Sequence, residues 1–185
     1  TFLQRGYDQI IHDVNLQRLN VLFAVDRAGL VPGDGETHQG IYDAAFFSEL
    51  SGFCVVSPCN YAELSHWLEV LLQTDGPRAL RYPRGGEDET LAALGCTGRP
   101  FDVFSAPHLA DAALVTYGAQ TAPVLEAARR ATEQGVFADV YKLTVIHPLP
   151  QGLCEALHGY RRIIFAEEGI QHGGIGEHLA SALLA

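Results

Sequence analysis

Apolar positions in the first half of the chain form short continuous runs separated by stripes at helical spacing. The runs at residues 21–25, 53–57 and 79–82 predict buried strands, each closed by a polar, glycine or proline residue. Helical spacing is found at residues 3–14, 41–50 and 61–73. Strands that alternate with helices favour parallel pairing in a sheet that is covered on both faces.

The second half repeats this architecture without repeating the sequence. Strands are predicted at residues 113–117, 138–143 and 162–166, and helices at 122–134, at 153–158 and after the glycine-rich loop 173–176. Between the halves, residues 87–108 have little periodicity and begin with the acidic run Glu87-Asp88-Glu89. The predicted fold is therefore α/β, with one parallel-sheet unit at residues 1–86, a linker at 87–108 and a second unit at 109–185.

Caps and chain ends add detail to this prediction. Asn60 followed by Glu63 has capping-box spacing for the third helix, and Thr121 is a candidate cap for the helix over residues 122–134. The chain begins with Thr1 inside an amphipathic pattern and contains no methionine. We therefore expect a piece of a longer protein, with both α/β units incomplete.

Charge and hydropathy narrow the possible partners. The net charge of −10 argues against binding to nucleic acid or to an anionic membrane surface. No apolar run approaches the roughly 20 residues that span a bilayer, and no signal-peptide pattern opens the chain. The cysteines form no CxxC pair, so they are expected to be reduced and structural; they are Cys54, Cys59, Cys96 and Cys154. These features predict a cytoplasmic protein.

The loop at residues 26–40 has the richest chemistry. It follows the first predicted strand, is rich in glycine, and contains Arg27, Asp34 and His38. Such loops present functional groups at the carboxyl edge of α/β sheets. The three side chains provide an anion-binding cation, a hydrogen-bond acceptor and a proton carrier. The alternatives are that Asp34 forms a turn before Gly35 and that His38 is satisfied by backbone groups.

A second arginine lies beyond the third predicted strand. Because the carboxyl ends of parallel strands share one edge, Arg84 and Arg27 are expected to approach each other there. Two guanidiniums in that position can hold a phosphate group through bidentate contacts. The alternative is that both are surface or interdomain salt-bridge arginines. Arg81 alternates with its neighbours along the strand and is expected to point elsewhere.

A metal site is not expected, although Glu167, Glu168, His172, Glu177 and His178 lie close together in sequence. Their spacing matches no HExxH or similar ligand pattern. The Gly173–Gly176 loop matches neither GxGxxG nor a P-loop, and its glycines are explained by a helix-start turn.

Several segments together resemble the 1-deoxy-D-xylulose-5-phosphate synthase family of transketolase-like enzymes. They are TFLQRGYDQ at residues 1–9, HDV at 12–14, FAVDRAG at 23–29, DGETHQG at 34–40, RYPRG at 81–85, IHPL at 146–149 and AEEG at 166–169. The resemblance covers the whole chain in register. DGETHQG is similar to transketolases broadly, whereas TFLQR, DRAG and RYPRG are more specific to the synthases.

The resemblance implies a thiamine-diphosphate enzyme of isoprenoid and thiamine precursor synthesis, built as a homodimer. It would join pyruvate to D-glyceraldehyde 3-phosphate, with loss of CO2, to give 1-deoxy-D-xylulose 5-phosphate. It implies that Arg27 and Arg84 hold the aldehyde's phosphate. Asp34 would bond an acceptor hydroxyl, and His38 would act near the reacting carbon.

The resemblance also implies that Phe2 packs on the aminopyrimidine of the cofactor and that Arg5 lies beside that ring. The family's catalytic glutamate segment and its sites for Mg2+ and the diphosphate have no counterpart in this chain. We therefore expect the chain alone to be inactive. Two other readings remain: another transketolase-like enzyme, such as transketolase or a 2-oxoacid dehydrogenase β subunit, and a non-catalytic assembly module.

Overall fold

A computed structural model describes residues 2–185, which fold into two four-stranded sheets with flanking helices. The strands are β1 (Leu22–Val25), β2 (Cys54–Val56), β3 (Arg78–Arg81), β4 (Phe101–Phe104), β5 (Ala112–Tyr117), β6 (Ala138–Leu143), β7 (Val145–His147) and β8 (Arg162–Ala166). The helices are α1 (Tyr7–Gln9), α2 (Asp43–Ser48), α3 (Tyr61–Leu72), α4 (Glu89–Ala92), α5 (Thr121–Glu133), α6 (Leu153–Leu157) and α7 (Ile175–Leu184). The α/β class is confirmed.

The first sheet has the strand order β1-β3-β2-β7. β3 pairs in parallel with both β1 and β2, so their carboxyl ends meet at one edge, as predicted. β7 comes from the second half of the chain and pairs antiparallel with β2. The sheet is therefore mixed rather than wholly parallel. The short apolar run at residues 145–147 gave no separate strand signal because it continues directly from β6.

The second sheet has the order β4-β6-β5-β8. β5 pairs in parallel with β6 and β8, while β4 pairs antiparallel with β6. β4 and α4 both lie within residues 87–108, so the segment that was predicted to be a linker is partly structured. β4 was missed because Asp102, whose carboxylate is buried, interrupts its apolar pattern.

One continuous apolar core joins the two sheets. Phe47 and Phe53 are fully buried, with ring centroids 4.7 Å apart, and Val115 and Leu143 of the second sheet belong to the same cluster. A smaller cluster around Trp67 and residues of β2 and β3 lies beneath α3. Burial of these side chains is the main source of stability of the fold.

A buried ion cluster also bridges the two units. The Lys142 ammonium on β6 donates to Glu63 of α3 and to Asp102 of β4, the latter at 2.9 Å. Glu63 also accepts from the backbone N–H of Cys59 at 2.9 Å. Burial alone would lower the pKa of Lys142, but the two carboxylates outweigh it and raise that pKa.

The helix starts test the predicted caps. The Asn60 side chain accepts from the backbone N–H of Glu63 at 2.8 Å, which confirms it as the cap of α3. Thr121 is not a cap: α5 begins at this residue, and its buried hydroxyl has no partner within residues 2–185. The N-terminal helical segment combines a 3-10 turn (Leu3–Gly6), α1 and a π turn (Ile10–Asn15). Within the described residues, no helix has the length and apolar content to cross a membrane.

Candidate functional site

Two loops meet at the carboxyl edge of the first sheet. One runs from β1 through residues 26–40, and the other follows β3 at residues 82–86. The Tyr82 carbonyl accepts from the backbone N–H of Ala28 at 2.9 Å, which continues the β1–β3 pairing into the loops. This contact explains why Arg27 and Arg84 come together although they belong to different loops.

The first loop is closed by a bridge between Gly29 and Gly40. Each donates its N–H to the other's carbonyl at 2.8 Å. Gly29 has a φ of 82°, which favours glycine, and a Cβ there would lie 2.1 Å from a Glu168 carboxylate oxygen. A Cβ on Gly40 would lie 1.9 Å from the Arg27 carbonyl oxygen. Both glycines are therefore required by close approach of other groups.

Arg27 is held in an uncommon conformation at the start of this loop. Its φ is 61°, in the left-handed region that few non-glycine residues adopt. Its backbone N–H and its Nη1 both donate to Asp26 at 2.7 Å, and its Nε donates to Asp34 at 3.1 Å. These contacts aim the guanidinium back across the loop.

Asp34 lies between the two arginines. One of its oxygens accepts from Arg27 Nε and the other from Arg84 Nη1. The hydrogen bond from Arg84, followed by that from Arg27 and the charges of both groups, lowers the pKa of the Asp34 carboxyl. The structure thus brings both arginines within reach of one anionic group.

An aromatic and imidazole wall adjoins these charges. The Phe2 and His38 rings meet edge to face with centroids 4.9 Å apart, and Arg5 lies over the Phe2 ring at 4.7 Å. His38 Nδ1 lies 2.8 Å from the Thr37 hydroxyl. Phe2 is 48% exposed, so its ring is available to a ligand.

An open cavity of about 500 Å³ is lined by five residues, namely Phe2, Arg27, Asp34, His38 and Arg84. The structure therefore brings together five of the six site residues predicted from the sequence, and Arg5 lies next to the cavity through its contact with Phe2. The two arginines approach each other at this edge, and each is paired with Asp34. An anion that bound there would have to displace or share those pairs.

A buried polar network that was not predicted from the sequence lies behind the two loops. Arg81 is 3% exposed and forms a two-point ion pair with Asp43, at 2.8 and 3.3 Å. The Tyr117 hydroxyl donates to Glu167 at 2.7 Å. Burial alone would lower the pKa of the Arg81 guanidinium, but the charge of Asp43 raises that pKa. Burial, followed by the charge of nearby Glu167, raises the pKa of the Tyr117 hydroxyl. The sequence offered one sign of this network, namely the charged residue Arg81 inside an otherwise apolar strand.

The candidate metal-binding residues do not converge. Among residues 2–185, no group of three or more His, Cys, Asp or Glu side chains is arranged to hold a metal ion. Glu167 instead accepts from the N–H groups of Ile175 and Gly176 at the start of α7. The four cysteines are unpaired in the described structure. Burial, followed by the Glu63 charge, raises the pKa of the Cys59 thiol to about 12, so it stays protonated at neutral pH.

Comparison with protein families identifies the class. Residues 1–86 match the model of the transketolase pyrimidine-binding domain, and residues 108–185 match that of the transketolase C-terminal domain. The chain therefore belongs to the transketolase family.

Within that family, the similar curated relatives are 1-deoxy-D-xylulose-5-phosphate synthases, as the sequence motifs implied. The enzyme of Anaeromyxobacter sp. (strain K) is 43% identical over 180 residues, which cover 95% of this chain and 28% of the relative. That of Synechococcus sp. (strain CC9605) is 41% identical over 186 residues, which cover 99% of this chain and 29% of the relative. The chain thus spans less than a third of the length of these relatives.

Among solved structures, a split-gene transketolase described as an inactive β4 tetramer has the same fold. Its TM-score is 0.85 with 26% identity, and the match covers 99% of this chain and 59% of that chain. The likeness extends over both α/β units.

Proposed function

We propose that this chain forms the acceptor-substrate half of a 1-deoxy-D-xylulose-5-phosphate synthase active site. The observation that carries this proposal is the convergence of Arg27, Arg84, Asp34 and His38 on one cavity. The similarity to synthases at 41 and 43% identity supports the choice of reaction. The substrates are pyruvate and D-glyceraldehyde 3-phosphate, and the products are 1-deoxy-D-xylulose 5-phosphate and CO2.

The two arginines bind the phosphate of the aldehyde. A phosphate dianion offers three oxygens, so it can accept from both guanidiniums at once. Arg27 and Arg84 are 38% and 51% exposed, which leaves them accessible to a ligand entering from solvent. Binding exchanges their contacts with Asp34 for contacts with phosphate. The freed carboxylate then accepts a hydrogen bond from an acceptor hydroxyl.

His38 acts at the carbonyl oxygen of the bound aldehyde. Its ring lies in the same cavity as the arginines and is oriented by the Thr37 hydroxyl and by the edge of Phe2. An imidazole so placed stabilises and protonates the oxygen on which negative charge develops when a carbon nucleophile adds to the carbonyl.

The pyrimidine-binding domain also indicates thiamine diphosphate as cofactor. An exposed Phe2 ring at the cavity wall, with Arg5 beside it, fits the flat aminopyrimidine of that cofactor. When bound, that cofactor would supply the electron sink that allows pyruvate to lose CO2 and its remaining carbons to act as a nucleophile. No residue of this chain is assigned to Mg2+ or to the diphosphate, and we expect those sites in the part of the relatives that this chain does not cover.

The wider setting follows from the same proposal. We place the enzyme in isoprenoid and thiamine precursor synthesis in the cytoplasm and expect a homodimer. Because the cofactor's diphosphate and Mg2+ have no assigned site here, the 185-residue chain alone is expected not to turn over substrate. The description of a structural neighbour as an inactive β4 tetramer favours this expectation.

The deciding assay uses the gene product that contains these residues, in parallel with the 185-residue chain. Both are supplied with thiamine diphosphate, Mg2+, pyruvate and D-glyceraldehyde 3-phosphate. We expect 1-deoxy-D-xylulose 5-phosphate and CO2 from the former only. A preference for ketose phosphate donors over pyruvate would instead indicate a transketolase. Turnover by the 185-residue chain alone would refute the proposal that it forms only the acceptor-substrate half of the active site.

A further inference from the structure

The buried polar network links the first α/β unit to the second, behind the proposed phosphate site. Its centre is Arg81, the last residue of β3, whose Nε and Nη2 bind Asp43 of α2. Its Nη1 lies 3.4 Å from the Ser57 hydroxyl, and its guanidinium carbon lies 5.3 Å from the centroid of the Tyr117 ring. Arg81 therefore contacts elements of both units.

The network continues into the second unit through Tyr117 and Glu167. The Tyr117 hydroxyl donates to one Glu167 oxygen, and the other accepts from the Gly176 N–H at 3.0 Å. Glu167 thereby joins β5 to the start of α7. Favourable interaction of a carboxylate with a helix N-terminus reinforces this contact.

The same network reaches both loops of the proposed phosphate site. Arg81 Nη2 lies 3.5 Å from the carbonyl oxygen of Gly40, which closes the loop carrying Asp34 and His38. Arg84 follows three residues after Arg81 on the other loop. From the second unit, the N–H of Ile170 donates to the Ile41 carbonyl at 3.1 Å, beside the closed loop.

We propose that Arg81 is a positioning residue that fixes the two phosphate-binding loops relative to each other and ties them to the C-terminal unit. This inference rests on the proposed function of Arg27 and Arg84. Arg81 does not line their cavity, so it acts through Gly40 and through the backbone of β3. Without its fork of donors, Asp43 is left as a buried unpaired carboxylate, and the carbonyl of Gly40 loses a neighbouring cation.

Arg78 offers a matched control within the same strand. It is 5% exposed, close to the 3% of Arg81. Among residues 2–185, its guanidinium donates to the backbone carbonyls of Leu71 and Gly76, at the opposite end of β3 from the site. Loss of either arginine removes a buried cation from β3, but only loss of Arg81 disturbs the loops.

The test measures binding of inorganic phosphate to the 185-residue chain by 31P NMR titration, at a temperature where near-UV circular dichroism shows each variant folded. Misplacement of binding groups by about 1 Å is costly, so we expect Arg81→Met to weaken phosphate binding about tenfold or more. Arg81→Lys keeps the charge beside Asp43 and should recover part of the loss. Arg78→Met should bind phosphate like the unmodified chain. Equal effects of Arg81→Met and Arg78→Met would overturn the inference.

Two further measurements separate positioning from general destabilisation. In the background of Arg84→Ala, the effect of Arg81→Met on phosphate binding should be clearly smaller than in the unmodified chain, because the two residues act on one site and only the Arg27 loop is left to misplace. Independent, additive losses would overturn the inference. Hydrogen exchange at the Gly29 and Gly40 amides should be faster in Arg81→Met than in Arg78→Met, and equal rates would also count against it.

The proposed function fails in a different way. If Arg84→Ala binds phosphate as tightly as the unmodified chain, the anion site itself is wrong. If Arg84→Ala loses binding but Arg81→Met behaves like Arg78→Met, the anion site stands and the positioning role falls. Tyr117→Phe retains the ring over Arg81 but removes the bond to Glu167. It should weaken phosphate binding less than Arg81→Met, and a larger loss would contradict the central place given to Arg81.

Discussion

Arg84 and Asp34 are fifty residues apart in the chain, yet the guanidinium of the first donates to the carboxylate of the second. Asp34 also accepts from Arg27 at 3.1 Å, so one carboxylate joins two cations at the edge of the sheet. A group that attracts both arginines in this way occupies the region where a substrate phosphate would bind. If a phosphate binds there, it must compete with Asp34 for Arg27 and Arg84, and substitutions of these residues can test this.

Removing either arginine should weaken binding of the phosphorylated aldehyde. Hydrogen bonds to charged groups contribute about 2 kcal/mol, which corresponds to a roughly 30-fold rise in the Kd of D-glyceraldehyde 3-phosphate. Isothermal titration of Arg27→Ala and Arg84→Ala tests this. Arg130→Ala, an exposed arginine on α5, is the control and should leave the Kd unchanged. Equal binding by all three variants would rule out the clamp.

The bridge between Gly29 and Gly40 should tolerate no side chain. A Cβ on Gly40 would lie 1.9 Å from the backbone oxygen of Arg27, so Gly40→Ala must push the two loop arms apart. We expect this variant to lose most of its affinity for inorganic phosphate while remaining folded. Gly159→Ala is the matched control, since a Cβ there meets no atom within 4 Å and the residue lies outside both loops. Unchanged phosphate binding by Gly40→Ala would show that the bridge does not shape the site.

The buried ion cluster of Lys142, Glu63 and Asp102 should contribute strongly to the free energy of unfolding. Lys142→Met leaves the carboxylate of Glu63 buried without its cation, while Asp102 keeps its exposed partner Arg99, and breaking such a cluster costs about 3–5 kcal/mol. Urea denaturation measures the free energy of unfolding. Arg129→Met removes two ion pairs that are exposed on α5, with Glu126 and Glu133, and should have little effect. Similar unfolding midpoints for the two variants would contradict this account.

Stability should also depend on the protonation of His147. Burial, followed by the nearby His178, lowers the pKa of His147 below its ordinary value of 6.5. The unfolded chain then binds a proton that the folded chain resists, so the free energy of unfolding should decrease as pH falls from 6.5 through the folded pKa. Thermal unfolding between pH 7.5 and 5 should show a shallower slope for His147→Gln. An identical slope would assign the dependence to other groups.

Much of this fold follows from local patterns. The six strands with strong apolar runs were predicted to within one or two residues, because a buried parallel strand needs a continuous apolar segment. β4 and β7 were missed because Asp102 interrupts the apolar pattern of β4 and because β7 follows β6 with almost no break. The buried carboxylate of Asp102 in β4 is paired with Lys142 on the neighbouring strand β6, and such tertiary partners are not encoded in local spacing.

The candidate site shows the same division. Arg27, Asp34, His38 and Arg84 were predicted because the ends of parallel strands bring loops together, and the structure places all four around one cavity. Arg81 was set aside because strand alternation shows that a side chain points away but does not identify its partner. Its partner, Asp43, is thirty-eight residues away on a helix.

The most direct test of the phosphate site is a crystal structure of the chain with D-glyceraldehyde 3-phosphate. We expect a phosphate group within about 3 Å of guanidinium nitrogens of both Arg27 and Arg84, with at least one of their contacts to Asp34 broken. We also expect the aldehyde end of the ligand to point toward His38. A phosphate bound elsewhere, with both arginines still paired to Asp34, would contradict it.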